Sequence, residues 1–203
     1  MKINIRLCFF VMATFLASSV YALSYEDGQA AFDTKDYKKA VEIWESLAGQ
    51  GDVSSQLKMA ELHDTRGLIV KGVEIVKWDP SESFKFYNLA AEQGSLEAQV
   101  QLGLFYMSGK GGITRDPEKG REHFLEAANQ GYAKAQYHYG VTYFRGGEGI
   151  LTDYVQAYAW IHVASIRGYE PAKAYSEYIV EVLSKEQLEE AKNISDQLLA
   201  EIK

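Results

Sequence analysis

Three landmarks recur along the chain at matching intervals, and this repetition constrains its fold more than any other feature. A glycine after glutamine or arginine returns after 43, 37 and 37 residues, and an aspartate that opens an apolar periodic run returns at the same intervals. A small residue followed by a polar one does the same. Such periodicity predicts a stack of similar units that bury a shared core. The landmarks are Gly51, Gly94, Gly131 and Gly168; Asp36, Asp79, Asp116 and Asp153; and Ser55, Ala98, Ala135 and Ala172.

Each unit has the sequence pattern of two helices. The aspartate suits the start of the second helix, as in Asp116-Pro117, because its carboxylate caps free amides and proline tolerates the first helical position. The glycine suits a left-handed end of that helix. Between them a bulky residue precedes a pair of small residues, a pattern typical of close helix packing. The bulky residues are Trp44, Tyr87, Phe124 and Ile161.

The pattern predicts one all-α domain over residues 23–203. We expect hairpins at about 24–51, 52–94, 95–131 and 132–168, followed by helices over 169–183 and 184–202. Ser184 and Gln187 form a capping-box signature for the last helix. That helix has a polar outer face, which a repeat array needs at its end.

These motifs resemble the Sel-one-like repeat, a relative of the tetratricopeptide repeat. The segments Ala98–Gly131 and Ala135–Gly168 match it well, and Ser55–Gly94 matches mainly in its second half. The first hairpin is closer to a plain tetratricopeptide unit, with Asp36-Tyr37-Lys38-Lys39-Ala40 preceding Trp44. The resemblance implies a right-handed α-solenoid with a C-terminal capping helix, which binds proteins or peptides along a groove.

The first 22 residues predict a signal peptide. Lys2 and Arg6 precede an apolar run, and Ala22 ends a small-residue cleavage site. We therefore expect cleavage after Ala22 and a periplasmic or secreted, monomeric protein with no membrane span. Cleavage removes the only cysteine, Cys8, and reduces 21 basic residues to 19 against 28 acidic ones, a formal charge of −9. That charge disfavours nucleic acid as a partner.

No catalytic or cofactor motif is recognisable. The four histidines lie in different predicted helices, and none has a second histidine at metal-ligand spacing. The glycines at 109–112 lack the other parts of a phosphate loop. We predict a non-catalytic interaction scaffold without cofactors. The family leaves alternatives: cysteine-rich relatives have been linked to β-lactam binding or weak hydrolysis, although their paired cysteines are missing here, and other relatives are envelope regulators or host-interaction factors.

Two surfaces are candidates for the partner protein or peptide. Counting three and seven residues from each small landmark predicts a groove along the first helices. A second candidate is the segment 64–77, six residues longer than its counterparts and predicted to form a β-hairpin at Lys71-Gly72. Its apolar residues either contact a partner or, as we favour, cover the neighbouring repeat. The groove set is Lys58, Leu62, Gln101, Phe105, His138, Thr142, Tyr175 and Ile179, and the edge set is Leu68, Val70, Ile75 and Trp78.

Overall fold

The computed structural model describes residues 22–64, 67–147, 149 and 151–202. The predicted signal peptide lies outside these residues, apart from Ala22. Within this part of the chain there are ten α-helices and one two-stranded antiparallel sheet. The helices are α1 Tyr25–Asp33, α2 Tyr37–Gly49, α3 Val53–Asp64, α4 Pro80–Glu92, α5 Leu96–Ser108, α6 Pro117–Asn129, α7 Ala133–Arg145, α8 Tyr154–Ile166, α9 Glu170–Val180 and α10 Lys185–Glu201.

Helices that follow one another in sequence pack side by side from α1 to α9, within and between the hairpins. The chain is therefore an all-α solenoid, as the repeat predicted. We call α1, α3, α5, α7 and α9 the first helices, and α2, α4, α6 and α8 the second helices. None of the described helices combines the length and hydropathy that crossing a bilayer requires.

The predicted signals set the ends of the second helices. The carboxylate of Asp116 accepts a hydrogen bond from the backbone amide of Lys119 at 3.0 Å. The carboxylate of Asp153 accepts one from the backbone amide of Gln156 at 2.9 Å. Asp36 and Asp79 cap α2 and α4 in the same way. At the other end Gly131 and Gly168 have φ angles of 82° and 87°, the left-handed conformation that glycine adopts without steric cost.

The core forms where a bulky side chain of a second helix meets a small residue of a first helix. Phe124 is 2% exposed, and a Cβ built on Gly103 would lie 2.4 Å from its ring. A Cβ built on Gly140 would likewise lie 2.6 Å from the side chain of Ile161. These glycines allow close contact between first and second helices, and burial of the bulky side chains supplies the main stabilisation.

The inserted segment forms the predicted β-hairpin. Strand β1 (Leu68–Val70) pairs with β2 (Val73–Val76) through a turn at Lys71 and Gly72. Both turn residues have positive φ, 51° and 81°, which matches the right-handed twist of a two-residue hairpin. Val76 is buried and joins the N-terminal core with Leu68 and Ile75.

The last helix, α10, begins with the predicted capping box at Ser184 and Gln187. It packs chiefly against α8, where the Ser195 hydroxyl donates to the Ala159 carbonyl at 3.3 Å. The guanidinium of Arg167 donates to the carbonyl of Ile202, whose side chain is buried. The chain thus folds back to cover the last second helix.

Candidate protein-binding surface

The two halves of the predicted groove set differ in burial. The residues three positions after each small landmark are half-buried in all four repeats: Lys58, Gln101, His138 and Tyr175. The residues seven positions after it are 6%, 2%, 3% and 0% exposed: Leu62, Phe105, Thr142 and Ile179. This burial counts against the groove assignment of Leu62, Phe105 and Ile179, whereas Thr142 also borders a pocket described below.

The burial of that second group comes from the preceding second helix. The Phe105 ring packs on Phe84 and Tyr87 of α4, at centroid distances of 5.6 and 6.1 Å. The Thr142 hydroxyl is satisfied within its own helix by the Tyr139 carbonyl, at 2.6 Å. The residues six positions after the small landmark, which were not in the predicted set, are exposed or half-buried: Glu61, Leu104, Val141 and Tyr178.

A pocket of about 470 Å³, here called the N-terminal pocket, lies across α1, α3 and α5. It brings together the predicted residues Lys58 and Gln101, with Glu61, Glu97 and the edge of Tyr87. The Lys58 ammonium lies 3.0 Å from the Glu61 carboxylate. Burial raises the pKa of the Tyr87 hydroxyl, so this group stays protonated and able to donate a hydrogen bond.

Glu97 connects α5 to α7 on this face. Its carboxylate accepts hydrogen bonds from the Tyr132 hydroxyl at 2.6 Å, the Gln101 amide at 2.7 Å and the Lys134 ammonium at 2.8 Å. Burial acts to raise the pKa of Glu97, but the bonds from Lys134, Tyr132 and Gln101 outweigh it, and the pKa is lowered. Glu97 therefore stays ionised at neutral pH and is paired with Lys134 on the wall of the N-terminal pocket.

A second pocket of about 460 Å³, here called the central pocket, lies between α5 and α7. Leu104 and Met107 of α5 face Val141 of α7 across it, and Phe124 closes its base. The predicted residue His138 is part of the wall. Burial, helped by the charge of Lys134, lowers the pKa of His138 to about 4, so its ring is neutral at pH 7.

Beyond the central pocket the face becomes aromatic. The ring of Phe144 on α7 lies 5.2 Å from Tyr175 and 5.9 Å from Tyr178, both on α9. Tyr178 is 54% exposed. The first-helix face, which we define as the two pockets and this aromatic end, thus changes from charged at α3 to apolar and aromatic at α9.

The residues of the edge set differ in burial. Leu68 and Ile75 pack inward on the N-terminal core, as we favoured, and Val70 is half-buried. Trp78 is 52% exposed, and its indole NH donates to the Asp64 carbonyl at 3.2 Å. The outward apolar side chains that the prediction missed are Ile69 and Val73, at 61% and 60% exposed.

All four histidines stack on an aromatic ring: His63 on Phe86, His123 on Tyr106, His138 on Phe124 and His162 on Tyr158. Each histidine ring therefore packs against a neighbouring aromatic side chain. Across the described ranges, histidine, cysteine and acidic side chains form no group of three that suits a metal ion.

The fold and this surface define a helical-repeat solenoid. The Sel1 repeat model matches residues 17–52, 53–95, 96–132 and 133–169, well over half of the sequence. The chain belongs to the Sel1 repeat family, whose members are generally protein-interaction scaffolds and typically non-catalytic.

Two solved structures are similar. A Sel1 repeat protein from Oxalobacter formigenes is 27% identical with a TM-score of 0.61, over 75% of this chain and 59% of that one. The protective antigen c5321 of uropathogenic Escherichia coli, which has an SLR fold, is 24% identical with a TM-score of 0.52, over 88% of this chain and 45% of that one. The chain thus spans between about half and three fifths of their lengths. No curated protein matches the sequence.

Proposed function

We propose that this protein is a non-catalytic scaffold that binds an extended segment of a partner protein along its first-helix face. The observation that supports this most is the pair of neighbouring pockets, of about 470 and 460 Å³, on consecutive first helices. Both lie in the size range of about 300–1,000 Å³ in which proteins bind ligands. Two pockets that both border α5 suit a linear segment that places one side chain in each.

The exposed aromatic end supports the same surface. Tyrosine side chains contribute large contact areas at little conformational cost, and they are enriched where proteins meet. Tyr178 is exposed, and its ring packs against that of Phe144. A partner segment that continues past the central pocket would cover this ring.

Site-specific photo-crosslinking in the producing cells tests this surface. A photoreactive phenylalanine analogue replaces Gln101 or Tyr178 on the first-helix face, or Glu126 on the exposed side of α6 as the matched control. We expect the same crosslinked partner from positions 101 and 178 and none from 126. Crosslinks from 126 alone would contradict the proposal.

We further propose that the protein acts in the bacterial envelope or outside the cell after export. The charged start, the apolar run at residues 7–16 and the small residues up to Ala22 support this. N-terminal sequencing of the protein from a periplasmic extract or culture medium should give Leu23 as the first residue. A cytoplasmic protein that retains Met1–Lys2 would exclude export.

A further inference from the structure

The central pocket differs in charge from the rest of the molecule. The chain has 28 acidic and 21 basic residues, yet no carboxylate is among the described residues that line this pocket. Two arginines, Arg115 and Arg145, are on its rim. The N-terminal pocket, by contrast, is lined by Glu61 and Glu97 with a single lysine, Lys58.

The two arginines are held differently. The Arg115 side chain donates from Nε to the Met107 carbonyl at 3.0 Å, which fixes it at the rim. Arg145 ends α7, is exposed, and has neither a hydrogen bond nor an ion pair with any other described residue. Its guanidinium is therefore available to a carboxylate from outside the chain.

The interior of the pocket is apolar. Leu104, Met107 and Val141 are half-buried around the opening, and Phe124 is buried at the base. His138 stacks on Phe124 with 5.3 Å between the ring centroids. Because burial keeps the His138 pKa near 4, the wall is uncharged at neutral pH and the positive charge is confined to the rim. Such a site favours an apolar group with an anionic neighbour.

We propose that the central pocket binds an apolar side chain of a partner polypeptide, and that Arg145 pairs with an Asp or Glu next to it in the partner sequence. This inference rests on the proposed function and specifies the partner of that surface. Burial of the apolar side chain supplies most of the affinity. The exposed ion pair contributes less energy, but it selects acidic over basic segments.

Selection from a phage library of random 12-residue peptides tests the inference on the purified protein. Peptides enriched by the wild type should carry Leu, Ile, Met or Phe beside an Asp or Glu. The Arg145→Glu variant should instead enrich Lys or Arg at that neighbouring position. For one selected acidic peptide, fluorescence polarisation should show binding weakened roughly tenfold by Arg145→Glu, an effect typical of a close charge pair.

Lys192→Glu is the matched control, because it changes the net charge equally at an exposed position on α10. It should leave the affinity unchanged. Leu104→Glu places a carboxylate in the apolar wall and should abolish binding. Circular dichroism melting curves of each variant verify that it is folded.

The outcomes separate this inference from the proposed function. If the selected peptides show no preference for Asp or Glu, the first-helix face binds peptides but the assigned chemistry is wrong. The same conclusion follows if Arg145→Glu binds the peptides as tightly as the wild type does while Gln101→Arg weakens binding. If the wild type enriches no peptide over uncoated resin, both proposals fail.

Discussion

The side-chain amide of Gln136 donates a hydrogen bond to the carbonyl of Ala128, 3.1 Å away, across the junction between α6 and α7. Gln56 makes the equivalent bond to Ala48 at 3.2 Å, between α2 and α3. In both cases a buried glutamine, eight residues beyond the carbonyl, ties a first helix to the last turn of the preceding second helix. The small-residue and glutamine landmark thus has a structural role in joining successive hairpins.

Replacing this glutamine should loosen the junction. Gln136 is fully buried, so Gln136→Ala removes both a hydrogen bond and packing volume. We expect the free energy of unfolding to fall by about 1–3 kcal/mol. Urea denaturation followed by circular dichroism measures it. Gln130→Ala, on the exposed end of α6, is the control and should change stability by less than about 0.5 kcal/mol. If both variants lose the same free energy of unfolding, Gln136 does not stabilise the junction.

The helix glycines should resist substitution by alanine. Alanine is the better helix former by about 1 kcal/mol, yet at Gly140 its Cβ would lie 2.6 Å from Ile161 and 3.1 Å from the Ala157 carbonyl. We expect Gly140→Ala to destabilise the protein by about 1–3 kcal/mol through overpacking. Gly49→Ala, with no atom within 4 Å of the new Cβ, should be neutral or stabilising. A stabilised Gly140→Ala variant would show that α7 and α8 are not in close contact.

The aspartate caps should contribute separately at each repeat. Asp116→Ala leaves the Lys119 amide without its acceptor and should cost about 1 kcal/mol, whereas Asp116→Asn retains a capping oxygen and should cost less. Thermal melting of the two variants beside the wild type measures the difference. Similar melting temperatures for Ala and Asn would mean that water replaces the cap.

Acid should weaken the fold partly through His138. Burial lowers its folded-state pKa to about 4 from the ordinary 6.5, so between these values the folded chain binds fewer protons than the unfolded chain. With respect to His138, the free energy of unfolding is highest above about pH 6.5 and decreases as the pH falls towards 4. The shift corresponds to as much as about 3 kcal/mol.

His138→Gln isolates that contribution from the titration of the nearby Glu97 carboxylate. Between pH 7 and 4.5 the wild type should lose more unfolding free energy than the variant does. Chemical denaturation at a series of pH values gives both slopes. Parallel slopes would assign the acid sensitivity to the carboxylates instead.

The inserted hairpin should contribute stability from one side only. Ile75 packs on the N-terminal core, whereas Ile69 is 61% exposed. Ile75→Ala should lower the free energy of unfolding by about 1–2 kcal/mol, and Ile69→Ala should have almost no effect. Urea midpoints of the two variants test this. A loss at Ile69 as large as that at Ile75 would mean that the hairpin packs the other way round.

The sequence by itself determined the repeats, the ends of the second helices and the position of the inserted hairpin. These features depend on local chemistry: a carboxylate at Asp116 caps the amides that follow it, Gly131 adopts a positive φ, and Lys71-Gly72 closes a two-residue turn. The shared face of Phe124 and Ala127-Ala128 on α6 also follows from spacing along that helix, and all three residues are buried.

The tertiary structure alone decided which side chains of each first helix are accessible. Gln101 and Phe105 share one face of α5, but Phe105 packs on Phe84 and Tyr87 of α4 and is buried, whereas Gln101 is half-buried. The sequence also did not predict that α10 packs on α8, where Ser195 contacts Ala159. Helical periodicity defines an apolar face, whereas the neighbour that covers it depends on how the helices cross in space.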